Sequence, residues 1–433
     1  MVDNRLLKAL AQFDTDKADQ IFGSEFAHDT PCRDNGLAPV KRVAIFAESF
    51  LPKVDGVSKT AYLTTRYLQE SGREVLIFAP DIAPTQIGPS KVVPMPSLGF
   101  RIAPETRIAL PNPAINQHLD SFNPDLIHLF SPALLSFSGV MAGWRRRIPV
   151  IANYQTDIPT YAQHYGLPLL AWPSRIWLKF VHNSCHLTLV PSTYTLEQLK
   201  SWGYKRLRRW GRGVNGTHFN PEHRSAEWRN RLLNGRDPNS MVVIYVGRLA
   251  NEKRVDLLLE AARTPGVALT IIGDGVLRET LEAQFAGTGT HFMGYLFGKE
   301  LAQAYASADV FMFPGMCETF GQVIQEAMAS GLPAVVVNQG GVTDLVKDGK
   351  TGYICEPDAA AFAQAAIRLR DGVSNRKRMA GEARLFAESR PWSTIMAELE
   401  GYYREAVRIN RSSGKGIGLR QGLSLPEFFH SNP

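Results

Sequence analysis

The chain is 433 residues long, 44% hydrophobic and 21% charged, with a formal net charge of +7, which leaves room for roughly two or three domains with full cores. No run approaches the roughly 20 consecutive apolar residues of a membrane-spanning helix, and Asp3, Asp14 and Asp16 stand where a signal peptide carries its apolar segment. Cys32, Cys185, Cys317 and Cys355 show neither CxxC nor CxH spacing, which argues against a disulfide framework or structural zinc; the expected compartment is the cytosol, and the positive charge favours nucleotides, anionic lipid headgroups or nucleic acid as partners.

Residues 1–40 have mixed charge and little strand pattern, with Leu6, Leu7, Leu10 and Phe13 at helical spacing. They read as an extension carrying one short helix. Asp14-Thr15-Asp16 has the look of a metal-holding pair but no apolar strand before it, so it is taken as chance. From Val43 the pattern is α/β: strand Val43–Ala47, the loop ESFLPKVDGVSKT, a helix near Ala61–Gln69 and strand Glu74–Ala79. Gly56 lies in the first loop, where a glycine lets backbone approach a phosphate, although a plain turn has the same need. Strands at Leu126–Leu129, Val150–Asn153 and Leu187–Val190 complete a doubly wound domain over 41–212.

Residues 213–240, after the basic run Lys205-Arg206-Leu207-Arg208-Arg209-Trp210, break the rhythm and read as an interdomain linker. A second alternation fills 241–392: strand VVIYVG, a helix from Lys253, strand Ala268–Ile272, a helix from Leu277, strand His291–Met293 and strand Asp309–Phe313. Next comes the stretch Pro314–Gly331, PGMCETFGQVIQEAMASG, then strand Ala334–Val337. In that central stretch a loop at the end of a buried parallel strand feeds a helix with apolar Val323, Ile324, Ala327 and Met328, closed by Gly331-Leu332-Pro333. Such a loop is where an open α/β sheet binds ligands, and a helix N-terminus favours an anion. Glu318 lies in the loop and Glu326 in the helix, about 80° past two full turns; both carboxylates suit the vicinal diols of a sugar or ribose, and two ordinary surface glutamates fit the spacing as well. Arg248 and Lys253 flank the turn after the first strand of this domain, Gly273-Asp274-Gly275 the turn after the second, and Gly340-Gly341 follows the last. Together Arg248 and Lys253 have the chemistry to clamp a diphosphate without a metal, although either alone is an ordinary surface charge. A helix over 393–412 and a tail over 413–433, expected to be mobile, end the chain.

Two doubly wound domains with GRLANEK (Gly247–Lys253), GDG (Gly273–Gly275) and E-x7-E (Glu318–Glu326) resemble the retaining glycosyltransferases of family 4, over about residues 42–410. The resemblance implies the GT-B fold: two Rossmann-like domains facing a cleft, with the C-terminal helix returning toward the N-terminal domain. It implies an acceptor-binding N-terminal domain and a nucleotide-sugar-binding C-terminal one. By matching positions, Arg248 and Lys253 would act on the diphosphate, Glu326 on the ribose diol and Glu318 on the donor hexose. Gly247, Gly273, Asp274, Gly294 and the Phe320 and Gly321 amides would line the donor site, with Gly56 and Val57 approaching from the other domain. One departure matters: many members carry a His where this chain has Gln155, in Asn153-Tyr154-Gln155-Thr156-Asp157. A glutamine is neither acid nor base, so Gln155 would position sugar or acceptor. With ESFLP, VDGVS and RWGRGV, the QTD segment is similar to bacterial α-mannosyltransferases that modify glycolipids and to sulfoquinovosyl-diacylglycerol synthases.

The implied function is retaining, metal-independent transfer of a hexose, mannose from GDP-mannose first and a UDP-sugar second, to a membrane glycolipid, with a polysaccharide or soluble acceptor as alternatives. No cofactor is expected beyond the nucleotide-sugar co-substrate. A non-catalytic nucleotide-sugar sensor is the reading from another class. Nucleic acid is disfavoured as a partner because Arg145-Arg146-Arg147 and the Lys205–Arg209 run have only Trp144 and Trp210 beside them, too few stacking platforms. Leu167–Phe180, with Trp172, Trp177, Arg175 and Lys179, combines aromatic and basic character. It fits either a core helix or, with the basic face of its domain, peripheral contact with the anionic inner face of the cytoplasmic membrane.

Overall fold

The computed structural model describes residues 15–22, 40–53, 55–100, 103–157 and 168–412. Two sheets organise these residues. The first contains β1 (Arg42–Ala47), β2 (Glu74–Pro80), β3 (Gln86–Ile87), β4 (Ser90–Met95), β7 (Leu126–Phe130), β8 (Val150–Asn153), β9 (Leu187–Val190) and β10 (Leu207–Arg209). Its order is β10-β9-β8-β7-β1-β2-β4-β3, parallel except for the β3 edge; β5 (Ser97–Phe100) and β6 (Ala103–Ala109) form a separate antiparallel pair. The second sheet contains β11 (Met241–Val246), β12 (Val267–Ile272), β13 (His291–Gly294), β14 (Val310–Phe313), β15 (Ala334–Val337) and β16 (Gly352–Cys355). Its order is β13-β12-β11-β14-β15-β16, parallel throughout.

The strands are nearly unbroken apolar runs because helices cover both faces. In β1, Val43, Ile45 and Ala47 join one buried cluster while Ala44 and Phe46 join another, the two-residue alternation of a pleated strand. The helix Trp392–Ser412 completes the first of these clusters: Trp392, Ile395, Met396, Leu399, Tyr403 and Ala406, at three- and four-residue spacing, pack under the N-terminal sheet. Its return is fixed by polar contacts as well. Trp210 Nε1 donates to the Ile395 carbonyl at 2.8 Å, His128 Nδ1 lies 2.8 Å from the Tyr403 hydroxyl, and Arg73 pairs with Glu400 at 2.8 Å. Where the chain leaves the first domain and later re-enters it, Val214 N–H donates to the Arg390 carbonyl. A Cβ on Gly213 would lie 2.5 Å from Trp392 Cα, so only glycine lets the two crossings touch.

Several boundaries differ from those read in the sequence. The helix expected near Ala61 begins at Gly56, because Asp55 caps it by accepting from Ser58 N–H at 2.8 Å; Gly56 and Val57 therefore form its first turn and are not loop residues. The basic stretch after Lys205 contains β10; Arg206, just before it, donates to the Cys185 carbonyl, and the exposed Arg208 within it pairs with Glu405 at 2.5 Å. Within 213–240, the helix Ala226–Leu233 sends Trp228 and Leu232 into the second core, so that part of the expected linker belongs to the C-terminal domain. Strands β3 to β6 and β16 went unread. Of the N-terminal extension, the helix Thr15–Phe22 is described; it docks Ala18 and Phe22 beside Tyr62, whose hydroxyl donates to Asp19 at 2.6 Å. Leu6, Leu7, Leu10, Phe13 and the 413–433 tail lie outside the described residues.

Candidate active site

The loops at the carboxyl ends of β11, β12, β14 and β15 stack on one another through backbone. A Cβ on Gly273 would sit 1.9 Å from the Gly247 carbonyl oxygen, and one on Gly275 would sit 2.4 Å from that of Leu249. Leu249 N–H donates to the Asp274 carbonyl at 2.9 Å and Gly273 N–H to that of Gly294 at 2.8 Å. Gly273 and Gly275 thus serve loop-on-loop packing, Gly294 supplies a carbonyl to it, and the Asp274 carboxylate accepts from its neighbour Gly275 N–H (2.7 Å) and Arg278 (3.0 Å). Likewise, Gly341 N–H donates to the Glu318 carbonyl at 2.6 Å, and a Cβ there would lie 2.1 Å from the Thr319 carbonyl oxygen. Gly341 thus ties the Pro314–Gly321 loop to the loop after β15.

On this platform stand the charges. Lys253 forms an ion pair with Glu318 and lies 5.6 Å above the Phe313 ring. Arg248 pairs with the buried Glu252 at 2.8 Å while its side chain remains 42% exposed. Between them Tyr245, buried, donates its hydroxyl to the Arg248 carbonyl at 2.9 Å. Burial raises its pKa, and the charges of Lys253, Glu318, Glu252 and Arg248 all bear on it, which places all four around one phenol. Cys317 nearby is held protonated, its thiol pushed up to about 11 by burial.

The helix Gln322–Ala329 starts at Gly321, whose φ of +94° is the left-handed conformation that glycine tolerates, and no side chain caps it. Its N-terminus is therefore open to an anion. The Phe320 ring is buried in the second core and does not face the cleft. Across the cleft the first turn of Gly56–Glu70 points at the same place: a Cβ on Gly56 would come within 2.9 Å of Gln322 Oε1. Two helix N-termini, one from each domain, converge there. One turn further along, Lys59 Nζ reaches over to Glu326 Oε1 at 2.6 Å, both side chains nearly buried. Sequence reading missed Lys59; the only local signal is a cation three residues after Gly56, hence on the same helical face. His218 sits beside the pair, its pKa lowered by burial and then by the Lys59 charge, with Glu326 opposing.

Gln155 also comes to the cleft. Its carbonyl accepts from the Thr319 hydroxyl at 2.8 Å, which ties it to the loop bearing Glu318. Among the described residues its Oε1 is buried without a partner, as are Ser131 Oγ, His182 Nε2 and Gln322 Nε2. Gln155, Ser131 and His182 line one small cavity with Pro132, Tyr154, Thr156 and Leu178 at the ends of β7 and β8. Buried polar atoms left unpaired are costly and mark places where a ligand or water completes the bonding. Among the described residues no group of three metal-ligating side chains comes together.

Known proteins place this geometry. The family described as "Glycosyltransferase Family 4" matches residues 54–217, and "Glycosyl transferases group 1" matches residues 227–386. A GDP-mannose-dependent alpha-mannosyltransferase of Mycobacterium tuberculosis is 40% identical, over 86% of this chain and 98% of its own length. The chain is a family 4 glycosyltransferase. Its activity is hexosyl transfer. A sulfoquinovosyl transferase of Arabidopsis thaliana is 36% identical, over 76% of this chain and 66% of its own. Among solved structures, Anabaena HepE in complex with UDP and glucose superposes with a TM-score of 0.66 at 18% identity, covering 84% of this chain and 99% of that one. Sucrose-phosphate synthase from Thermosynechococcus elongatus gives 0.68 at 21% identity, covering 84% and 98%. These similarities establish the GT-B fold for this glycosyltransferase.

Proposed function

We propose that this glycosyltransferase moves mannose from GDP-mannose to a membrane glycolipid with retention of configuration and without a metal. The observation that carries the donor choice is the 40% identity to the GDP-mannose-dependent mannosyltransferase along nearly its whole length. The geometry supports the accompanying roles. Arg248, Lys253 and the open N-terminus at Gly321 offer fixed positive charge where a diphosphate leaves. Preformed donors of this kind act most strongly where charge develops in the transition state. Glu326 takes the ribose diol and Glu318 the hexose hydroxyls, each giving up the lysine that now neutralises it. The acceptor oxygen forms its bond to the anomeric carbon on the face from which the diphosphate departs, the bond to the diphosphate breaks, and the acceptor proton passes to the leaving phosphate oxygen. Gln155, held by Thr319 and with a free Oε1, orients the sugar or acceptor and transfers no proton.

The membrane part of the reading rests on the helix Pro168–Asn183, where Trp172 is 72% exposed and Ile176 47%, with Leu134 exposed nearby and the exposed Trp144, Arg145 and Arg147 on the same domain. Among the described residues no helix is long and apolar enough to cross a membrane, so contact with the inner face of the cytoplasmic membrane would be peripheral. Incubation with a panel of nucleotide sugars tests the donor: GDP-mannose should be hydrolysed slowly and protect against thermal unfolding more than any UDP-sugar. Preferential protection by a UDP-sugar would replace mannose with another hexose. EDTA should leave turnover unchanged; a requirement for Mg²⁺ or Mn²⁺ would overturn the metal-free reading.

A further inference from the structure

We propose that Lys59 is a ligand of the donor's diphosphate, supplied by the N-terminal domain, and that its ion pair with Glu326 is a stand-in for the nucleotide. The inference rests on the donor-site reading above. The two glutamates of E-x7-E are treated alike by this fold: Glu318 is neutralised by Lys253 from the β11 loop, and Glu326 by Lys59 from the opposite domain at 2.6 Å. Each pair joins a carboxylate suited to sugar hydroxyls with a cation. When the hydroxyls take the carboxylate, the lysine is left nearly buried and in need of an anion. The nearest one that the reaction brings is the diphosphate.

Position agrees with this. Lys59 is three residues after Gly56, on the face of the helix that meets the Gln322 N-terminus across the cleft. It therefore stands about one turn, roughly 5 Å, from the place where the two helix N-termini converge, within the swing of a four-carbon stem. Its ammonium lies 5.7 Å over the Phe219 ring, close enough for the ring face to attract the cation. A cation from the N-terminal domain on a ligand held by the C-terminal domain also ties donor binding to closure of the two domains. A purely structural ion pair would hold the two domains together without acting on the donor.

The ratio of affinities for GDP and guanosine separates the two, because guanosine carries the ribose and lacks the phosphates. Calorimetry on the wild type, Lys59→Met and Lys59→Arg should show that ratio falling roughly tenfold or more in the Met variant, as for a lost hydrogen bond to a charged group, and largely kept in the Arg variant. An unchanged ratio in Lys59→Met overturns the assignment, whatever happens to its melting temperature. If Lys59→Met does not fold, Lys59→Met/Glu326→Gln, which removes both buried charges, is compared with Glu326→Gln alone by the same ratio. A wild-type chain that binds guanosine, GDP, uridine and UDP all equally poorly overturns the donor-site reading, and Lys59 with it; tight diphosphate binding with a Lys59-independent ratio overturns Lys59 only.

Discussion

The C-terminal wall of the cleft and the N-terminal wall handle polar groups in opposite ways. On the C-terminal side every carboxylate of the site is matched to a cation: Glu318 to Lys253, Glu252 to Arg248, Glu326 to Lys59. On the N-terminal side, at the ends of β1, β7 and β8, Glu48, Ser131, Gln155 and His182 each carry a buried polar atom with no hydrogen-bond partner among the described residues. Glu48 accepts from Ala133 and Ser136 N–H at 2.9 and 2.8 Å while its other oxygen has no partner, and Gln155 Oε1, Ser131 Oγ and His182 Nε2 are left open. A wall of exchangeable ion pairs suits a charged ligand that releases charge during the reaction. A wall of neutral, under-satisfied atoms suits a ligand recognised by hydroxyls.

The largest expected effect lies on the charged wall. Arg248→Ala or Lys253→Ala should lower kcat about 10²-fold or more, the usual cost of a lost transition-state donor, with the fold retained by circular dichroism. Near-normal turnover in the double variant would erase the distinction between the walls.

On the neutral wall the matching experiment is thermodynamic. Burial raises the pKa of Glu48 from 4.5 to about 7, against the N–H bonds of Ser136 and Ala133 that lower it. A carboxyl raised on folding contributes stability that is fully present below its unfolded value near 4.5 and is lost as pH rises through about 7. Glu48→Gln keeps an acceptor for the two N–H groups and removes the titration. It should therefore gain stability relative to the wild type between pH 5 and pH 8, by at most about 3 kcal/mol. A difference in melting temperature between variant and wild type that is the same at both pH values would show that Glu48 is not held in this way.

Smaller, and back across the cleft, is the division of labour between the two glutamates. Glu326→Ala should weaken the bare nucleoside diphosphate by roughly tenfold, the order of a lost charged hydrogen bond, whereas Glu318→Ala should leave that affinity nearly intact and lower transfer. Calorimetry beside a transfer assay discriminates them, and equal losses in both would mean that at least one is misplaced.

How much of this could be read from the chain follows the same division. The charged wall is built from short contiguous motifs, so GRLANEK and E-x7-E suffice to single out Arg248, Lys253, Glu318 and Glu326. Gly273 is legible as special but not as a packing glycine, because the carbonyl that its Cβ would strike belongs to Gly247, on another strand's loop. Lys59 is hidden for a related reason: its partner is 267 residues away, and its place three residues after Gly56 does not by itself distinguish it from a solvated lysine. The cap at Asp55 moves Gly56 from loop to helix, through a single hydrogen bond that periodicity does not register. Strand β10 hides in a basic run because its two outer arginines point outward while only Leu207 is buried.

The smallest predicted effect concerns the segment that sequence reading left between core and membrane, and the structure divides it. Trp172 and Trp177 are five residues apart, hence about 140° apart around a helix. Trp177 packs with Phe137 at 5.1 Å between ring centroids and donates its Nε1 to the Ala133 carbonyl, so it belongs to the packed interior of the domain. Trp172 points away, beside Ile176 one turn on, and is the group available to a bilayer interface. The cations are less free than spacing suggests: Arg175 stacks on the Trp202 ring at 4.0 Å, and attraction to anionic lipid must come from the wider basic face. Trp172→Ala should therefore reduce sedimentation with anionic vesicles by only a few-fold, about the worth of one interfacial aromatic, while raised salt reduces it for variant and wild type alike. Trp177→Ala should leave vesicle binding unchanged and lower the melting temperature, since it opens the aromatic cluster. Equal recovery of the wild type in the supernatant with anionic and neutral vesicles at low salt would remove membrane contact and move the acceptor toward a soluble saccharide, leaving the donor wall as it stands.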